Sequence, residues 1–160
     1  MTRTLFALIL TAILPLTALA DTGINFAGLK TDPTAPLQVQ ADALSVAQAD
    51  NTAVFTGNVV VTQADMQLNA ARMTVIYAAD GKGIAELRAI GGVTVKAGPN
   101  VAAAEEAIYT VASTALVMTG NVILTMQQAT IAGEGLSINL TTGLGTMTGR
   151  VTTTFAPAKN

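Results

Sequence analysis

The sequence of 160 residues predicts an all-β fold, a repeat-built stack of antiparallel strands. Residues 53–62, AVFTGNVVVT, are typical of strand, tight turn and strand, because Val and Phe suit a pleated surface and Gly-Asn readily adopts positive φ. The pattern recurs at residues 90–95, 118–124 and 147–152, and the first glycines of the four copies lie 34, 29 and 29 positions apart. A period in this range indicates a stacked-repeat or closely related all-β architecture.

Alternation of apolar with polar residues is the second observation. Hydrophobic residues make up 51% of the chain, and from residue 37 onwards they alternate with Thr, Gln and Asn. Such alternation is typical of strands with one buried and one solvent-facing side. The alternating stretches predict strands, in chain order, at residues 37–41, 44–46, 53–55, 59–62, 66–70, 73–77, 84–89, 93–96, 101–109, 115–125, 130–132, 136–140 and 146–155.

Turn residues separate these strands. Residues 50–51, 98–100 and 142–143 are rich in Asp, Asn, Gly and Pro, and Asp80-Gly81 is a strong signal for a two-residue hairpin loop. The Gly57-Asn58 pair and its counterparts predict hairpin-like corners.

Residues 101–111 also fit a helix, because their Ala and Glu have high helix propensity. The equivalent stretches of the neighbouring repeats, residues 66–75 and 130–140, are rich in Thr, Asn and Gly. We therefore predict a strand at residues 101–111.

The first 20 residues predict a signal peptide. Arg3 gives a positive start, residues 5–16 are apolar apart from Thr11, and residues 18–20 form an Ala-Leu-Ala cleavage site. An uncleaved anchor is the alternative, but the apolar run is shorter than the roughly 20 residues that a spanning helix needs, and Pro15 interrupts it. We expect cleavage after Ala20 and an exported mature chain.

Three further segments complete the predicted organisation. Residues 21–36 contain two glycines and two prolines and predict a flexible leader. Residues 37–156 form the β domain, and residues 157–160 form a short tail.

A short stretch of small or charged residues, called a step here, follows each alternating strand. These steps carry Asp42, Arg72, Glu105-Glu106 and Glu134. We expect the charged residues to face water at bends, with each repeat burying its apolar face against the next.

The absent residue types exclude several functions. The chain has no Cys and no His, so it offers no thiolate metal site, no thiol nucleophile and no imidazole base. Removal of Arg3 with the signal peptide leaves a formal charge of −3, which disfavours nucleic acid as a partner. We expect no enzyme, no metal and no cofactor. A paired-carboxylate glycosidase using Glu105, Glu106 or Glu134 stays formally open.

Two stretches, FTGNVVVTQ at residues 55–63 and LNAARMTV at residues 68–75, resemble the OstA-like family. The resemblance covers residues 37–155, although Gly92 and Arg150 stand where the corner motif has Asn. It implies an open-ended twisted β-jellyroll in the periplasm that carries lipopolysaccharide with its acyl chains in the apolar interior. It also implies end-to-end assembly, with further copies and with inner-membrane and outer-membrane transport components of the same fold.

The candidate lipid-binding residues are the apolar residues predicted to line the interior. They are Val39, Leu44, Phe55, Val59, Val61, Met66, Leu68, Met73, Val75, Val93, Val95, Val122, Leu124 and Ile138, within a wider interior set that adds Leu37, Leu87, Ile108, Ile131, Leu136 and Val151. Methionines would give a compliant lining. Such a stripe is equally typical of an ordinary core.

The basic residues are candidates to meet lipid phosphates, or they are isolated solubilising charges; they are Arg72, Lys82, Arg88, Lys96 and Arg150. Unpaired edge strands near residues 37–46 and 151–155 are the expected sites of head-to-tail association. The alternative is a structural or adhesin-like β-repeat module without lipid cargo, which would normally have many more repeats.

Overall fold

A computed structural model describes residues 24–25, 29, 32 and 34–157, so the predicted signal peptide lies outside the described residues. The described residues form eleven strands, and Gln48–Asp50 form a short 3₁₀ turn. The strands are β1 (Ile24–Asn25), β2 (Gln38–Gln40), β3 (Ala43–Ala47), β4 (Thr52–Gln63), β5 (Met66–Tyr77), β6 (Ile84–Ala97), β7 (Asn100–Thr110), β8 (Ala115–Met126), β9 (Ala129–Asn139), β10 (Leu144–Thr148) and β11 (Thr152–Phe155).

One antiparallel sheet contains all eleven strands, in the order β1-β10-β9-β8-β7-β6-β5-β4-β2. Strand β3 also pairs with β4, and β11 also pairs with β9. The predicted all-β fold is confirmed, and the stretch that also fitted a helix is strand β7.

The Gly-Asn corners are not hairpin turns, which corrects the prediction. Thr56 pairs with Arg72 and Val59 pairs with Ala70, so Gly57 and Asn58 form a bulge inside the continuous strand β4. Similar register shifts occur near the middle of each strand pair from β4–β5 to β8–β9. Because neighbouring strands shift register together, they bend together and the chain continues instead of reversing.

These bulges divide the sheet into two half-sheets. We define the corner row as residues 41–42, 57–58, 71, 91–92, 105, 120–121, 134 and 149–150. The first half-sheet contains β1, β3, β10 and residues 52–56, 72–77, 84–90, 106–110, 115–119 and 135–139. The second half-sheet contains β2, β11 and residues 59–63, 66–70, 93–97, 100–104, 122–126 and 129–133.

A single apolar core lies between the half-sheets. Buried residues of both half-sheets belong to one cluster, and its large, fully buried members include Met73, Met118, Val95 and Leu124. The two half-sheets therefore face each other like the layers of a jellyroll that is folded at the corner row.

Two residues predicted to lie in the interior do not. In β7 the bulge changes which alternate residues point inward. Ala102 and Ala104 point inward before the bulge, and Ala107 and Tyr109 point inward after it. Ile108 therefore faces outward opposite Val117. Val151, the second residue predicted to be interior, is exposed because it lies between the bend at residues 149–150 and strand β11.

Tight turns join the strands of the second half-sheet, at residues 64–65, 98–99 and 127–128. The loop that contains Asp80-Gly81 spans residues 78–83, closed by a hydrogen bond from the Ala78 N–H to the Gly83 carbonyl. It is therefore longer than the two-residue hairpin loop that the Asp-Gly pair predicts.

Some of the described leader residues contact the domain. Strand β1 pairs with β10, and Leu29 belongs to the core. Thr34 donates from its N–H and its hydroxyl to an Asp32 carboxylate oxygen, and these bonds, the hydroxyl one first, hold the pKa of Asp32 below its usual value. That residues 21–36 form a flexible leader stays a prediction, because most of them lie outside the described residues.

Within the described ranges, no helix has the length and apolar character required to cross a membrane.

Candidate functional site: an apolar groove between two half-sheets

The strand register assembles two apolar rows that face each other across the groove. In the first half-sheet one row runs across seven neighbouring strands, through Phe55, Met73, Ala89, Ala107, Met118, Leu136 and Met147. In the second half-sheet the matching row runs through Val39, Val61, Leu68, Val95, Ala102, Leu124 and Ile131. Directly paired residues on neighbouring strands share a face, so each row forms a continuous apolar strip.

Thirteen of the fourteen candidate lipid-binding residues lie on this inner surface. Eleven are buried: Val59, Val61, Met66, Leu68, Met73, Val75, Val93, Val95, Val122, Leu124 and Ile138. Val39 and Phe55 are half-buried and pack against the core.

Leu44 is the exception, and its interior assignment needs correction. It pairs with Phe55 and so shares the face that borders the groove, yet it is 57% exposed. The reason is that β3 is an edge strand, and no further strand among the described residues covers its outer side. Leu44 therefore lies on the rim of the groove.

Several inner residues carry too weak a signal for sequence reasoning to find. The alanines Ala53, Ala89, Ala102, Ala104 and Ala107 all point inward and are buried. Alanine is common on both faces of a strand, so alternation alone does not mark it. These small side chains widen the space that the larger residues opposite can fill.

The groove is closed in this structure. An enclosed cavity of about 20 Å³ lies between the half-sheets, lined by residues of both, including Leu68, Val95, Leu87, Tyr109 and Leu140. That volume holds about one water molecule. The buried residues around it are mainly Val, Leu, Ile, Met and Ala.

An open recess of about 270 Å³ lies at the mouth of the groove, opposite the corner row. Ala35 of the leader and Leu37, the first residue of the domain, line it together with Gln63, Ile84 and Val111. Gln63 is buried and donates a hydrogen bond from Nε2 to the Ala35 carbonyl at 3.1 Å. At the mouth, the leader therefore lies beside the ends of both half-sheets.

Tyr109 lines both the enclosed cavity and the open recess. Burial raises the pKa of the Tyr109 phenol, because an apolar environment disfavours the charged phenolate. The phenol therefore adds no charge to the groove at neutral pH.

Repeated contacts between carboxylates and amides stabilise the corner row. Asn58 Nδ2 donates to the Asp42 carboxylate at 2.8 Å, and Asn121 Nδ2 donates to the Glu105 carboxylate at 2.6 Å. Asp42, Glu105 and Glu134 are exposed, which confirms that the charged steps face water at bends. The hydrogen bonds of Asp42 and Glu105 to asparagine side chains are not predictable from local sequence, because the partners are 16 residues apart.

The basic residues lie away from the groove. Arg72, Arg88 and Lys96 are exposed and pair with outward-facing residues of neighbouring strands. Arg88 also forms an ion pair with Glu86 at 3.0 Å. These side chains belong to the outer surface and do not line the apolar interior.

Both edges of the sheet expose apolar side chains on the groove-facing side. Val46, which pairs with buried Ala53, is 60% exposed at the β3 edge. Phe155, which pairs with Ala129, is 74% exposed at the β11 edge. Apolar side chains thus lie at both rims, although the second row ends at Thr153, the β11 partner of Ile131.

Comparisons with known proteins agree with this architecture. Residues 38–144 match the family model described as LptA/(LptD N-terminal domain) LPS transport protein. An uncharacterised protein of Rhizobium meliloti (strain 1021) is 30% identical over 130 residues, which cover 76% of this chain and 70% of that protein. The crystal structure of LptH, the LptA homologous periplasmic component of the lipopolysaccharide transport device of Pseudomonas aeruginosa, has a similar fold. Its TM-score is 0.72 at 19% identity, over 79% of this chain and 99% of that chain.

Proposed function

The chain belongs to the LptA/LptD N-terminal domain family of lipopolysaccharide transport proteins, and we propose that it carries lipopolysaccharide across the periplasm. In this proposal the acyl chains lie between the two half-sheets. Residues 1–20 direct export and are removed after Ala20, and the domain spans residues 37–156.

The observation that carries the proposal is the apolar inner surface that extends to exposed apolar side chains at both edges of the sheet. Ordinary β-sandwich cores end beneath covered or charged edges. Here Val46 at one rim and Phe155 at the other expose apolar surface to solvent. Such a surface suits an elongated apolar ligand that enters at one end and leaves at the other.

Loading requires the groove to open, because the enclosed cavity has room for about one water molecule. The corner row is the natural hinge, since every strand pair from β4–β5 to β8–β9 has a bulge there and a bulge bends the strand. The half-sheets would separate at the mouth near Gln63 and Val111, where the leader bridges them. Methionines such as Met73 and Met118 can change rotamer to follow acyl chains of different shape.

Assembly follows from the same edges. The β3 and β11 edges present unpaired backbone groups that a partner of the same fold can pair with. Head-to-tail pairing is heterologous, so copies can form an open-ended row with inner-membrane and outer-membrane components at its ends. The apolar strip would then continue from one copy to the next.

Photo-crosslinking tests the lipid site directly. A benzophenone amino acid in place of Phe55 lies on the groove face and is half-buried, so the larger side chain is tolerated. The matched control replaces Ile123, which faces outward and is 46% exposed. We expect lipopolysaccharide adducts at position 55 and none at position 123.

A charged substitution inside the groove completes this test. Leu68→Asp, placed in the position-55 crosslinking variant, should abolish the adduct because a buried carboxylate disfavours acyl chains nearby. Circular dichroism checks that the variant keeps its strands. A folded Leu68→Asp variant with undiminished adducts would argue against lipid in the groove.

The filled interior favours a second candidate function, a structural β-repeat module without lipid cargo. That candidate predicts equal, low crosslinking at positions 55 and 123. It keeps the end-to-end assembly and removes the transport role.

A further inference from the structure

We propose that Leu29 and the other described residues of the leader, 24–25, 32 and 34–36, are a built-in occupant of the groove that acyl chains displace. The inference rests on the proposed lipid site. It adds that these residues hold the half-sheets closed until lipid binds.

Leu29 provides the first argument. It is 1% exposed and belongs to the core, although it lies in none of the eleven strands. An aliphatic side chain from outside the sheet therefore fills space between the half-sheets. A leucine and a lipid methylene chain are equivalent partners for such a surface, because burial of either removes similar apolar area from water.

The mouth of the groove provides the second argument. Leu37 lines both the enclosed cavity and the open recess, and Ala35 lines the recess. The Ala35 carbonyl is held by the Gln63 side chain at 3.1 Å. The leader therefore covers the opening through which the half-sheets would have to part.

Strand β1 provides the third argument. Ile24 pairs with Gly145 and Asn25 pairs with Leu144, so the leader also covers part of the β10 edge. Strands β10 and β11 both pair with β9, so this edge adjoins the β11 edge that the assembly proposal uses. One segment thus contacts both the proposed lipid site and the neighbourhood of the proposed assembly edge.

The attachment is short, which makes it displaceable. Strand β1 has two register pairs with β10, whereas β4 and β5 share ten. A segment held by few backbone pairs opens at lower free energy than the sheet it rests on. The leader can therefore leave while the half-sheets stay folded.

Two kinds of variant test this inference in the full mature chain, with fluorescently labelled lipopolysaccharide as the probe. Leu29→Ser weakens the plug, and we expect about tenfold tighter binding if the leader is open about 10% of the time in the native chain. Ile123→Ser, on the outer surface, is the matched control and should leave affinity unchanged.

A tether tests the opposite direction. The double variant Ile24→Cys/Gly145→Cys joins two Cα partners, and the native chain contains no cysteine to interfere. Oxidation should weaken binding about tenfold or more, and reduction should restore it. The control tether Ala115→Cys/Asn139→Cys joins partners of β8 and β9 and should have no effect.

The outcomes separate this inference from the proposed function. If native protein binds the probe but Leu29→Ser binds equally or more weakly, the leader is a fixed part of the core and the inference is overturned. A tether that fails to form, or that leaves binding unchanged, has the same meaning. If no form binds the probe, the proposed function itself is overturned, and the inference with it.

Discussion

At the scale of single residues, three corner-row glycines lie against a carboxylate-bearing residue. Gly57 packs against Asp42, Gly120 against Glu105 and Gly149 against Glu134. Each of these glycines has positive φ, between 73° and 83°. Glycine is required at these positions for two reasons. The backbone is in the left-handed region, and the neighbouring carboxylate-bearing side chain occupies the space that a Cβ would need.

Gly120→Ala should therefore destabilise the fold by about 2–3 kcal/mol. The added Cβ would lie 2.7 Å from a Glu105 carboxylate oxygen, and φ at this position is +83°. Chemical denaturation monitored by circular dichroism measures the loss.

Gly81→Ala is the matched control for this prediction. Gly81 also has positive φ, +69°, but nothing lies within 4 Å of its added Cβ. The backbone cost alone, about 1 kcal/mol, should remain. Equal losses in the two variants would show that the carboxylate contact does not contribute.

The sequence predicts individual inner residues where they are large and in phase. Val59, Val61 and Leu68 follow simple alternation and are buried as expected. Ile108 does not, because the bulge at Glu105 shifts the phase of β7 by one residue. The inward residues of β7 before and after this bulge include three alanines, so the sequence carries no large aliphatic signal that would reveal the shift.

At the scale of elements, the two edges differ from the inner strands in being broken at the corner row. Strands β2 and β3 together cover β4, and strands β10 and β11 together cover β9. Each edge is thus a pair of short strands, the inner strands being 11 to 14 residues long. Apolar side chains at Leu44, Val46 and Phe155 make these edges attractive to a second copy.

Val46→Lys should weaken head-to-tail association at least about tenfold, because a charge on an exposed edge opposes strand addition. Val46 is 60% exposed, so the isolated domain should stay as stable as the native protein. Light scattering over a range of protein concentrations measures the association.

Val117→Lys is the matched control, since Val117 is exposed on the outer face of an inner strand. It should assemble like the native chain. A native protein that stays monomeric at high concentration would contradict the assembly proposal, whatever the variants do.

The elements themselves were largely predictable, and their connections were less so. Alternation located the long strands, but the Gly57-Asn58 pair was interpreted as a hairpin corner when it is a bulge. Gly57 and Asn58 both have positive φ in the bulge, and a type I′ hairpin turn requires the same of its two central residues. What distinguishes them is whether the strand continues along the same neighbour, and that depends on pairing with β5, which local sequence does not contain.

At the scale of the whole molecule, the sequence predicts the family and the jellyroll but not the state of its interior. The repeat period and the composition indicate strands that stack around an apolar centre. Whether that centre is open depends on how side chains from distant strands meet, and on Leu29, which was assigned to a flexible leader. Tertiary packing of this kind leaves no periodic pattern in the amino-acid sequence.

Charge distribution over the whole molecule leads to the last prediction. The groove wall is apolar, while Arg72, Arg88 and Lys96 lie on the outer face and Lys82 and Arg150 lie in exposed bends. Salt screens exposed charges beyond about 10 Å at 0.1 M but leaves apolar burial intact. Affinity for detergent-dispersed lipopolysaccharide should therefore change less than about twofold between about 0.05 and 0.5 M sodium chloride.

Calorimetric titration tests this prediction, and binding should also show a negative heat-capacity change because apolar surface is buried. Arg88→Gln, which removes the ion pair with Glu86, should leave the affinity unchanged. A fall of tenfold or more with salt, abolished by neutralising the outer arginines, would instead assign recognition to lipid phosphates. The carrier would then hold its cargo by the outer face, and the apolar interior would be a core.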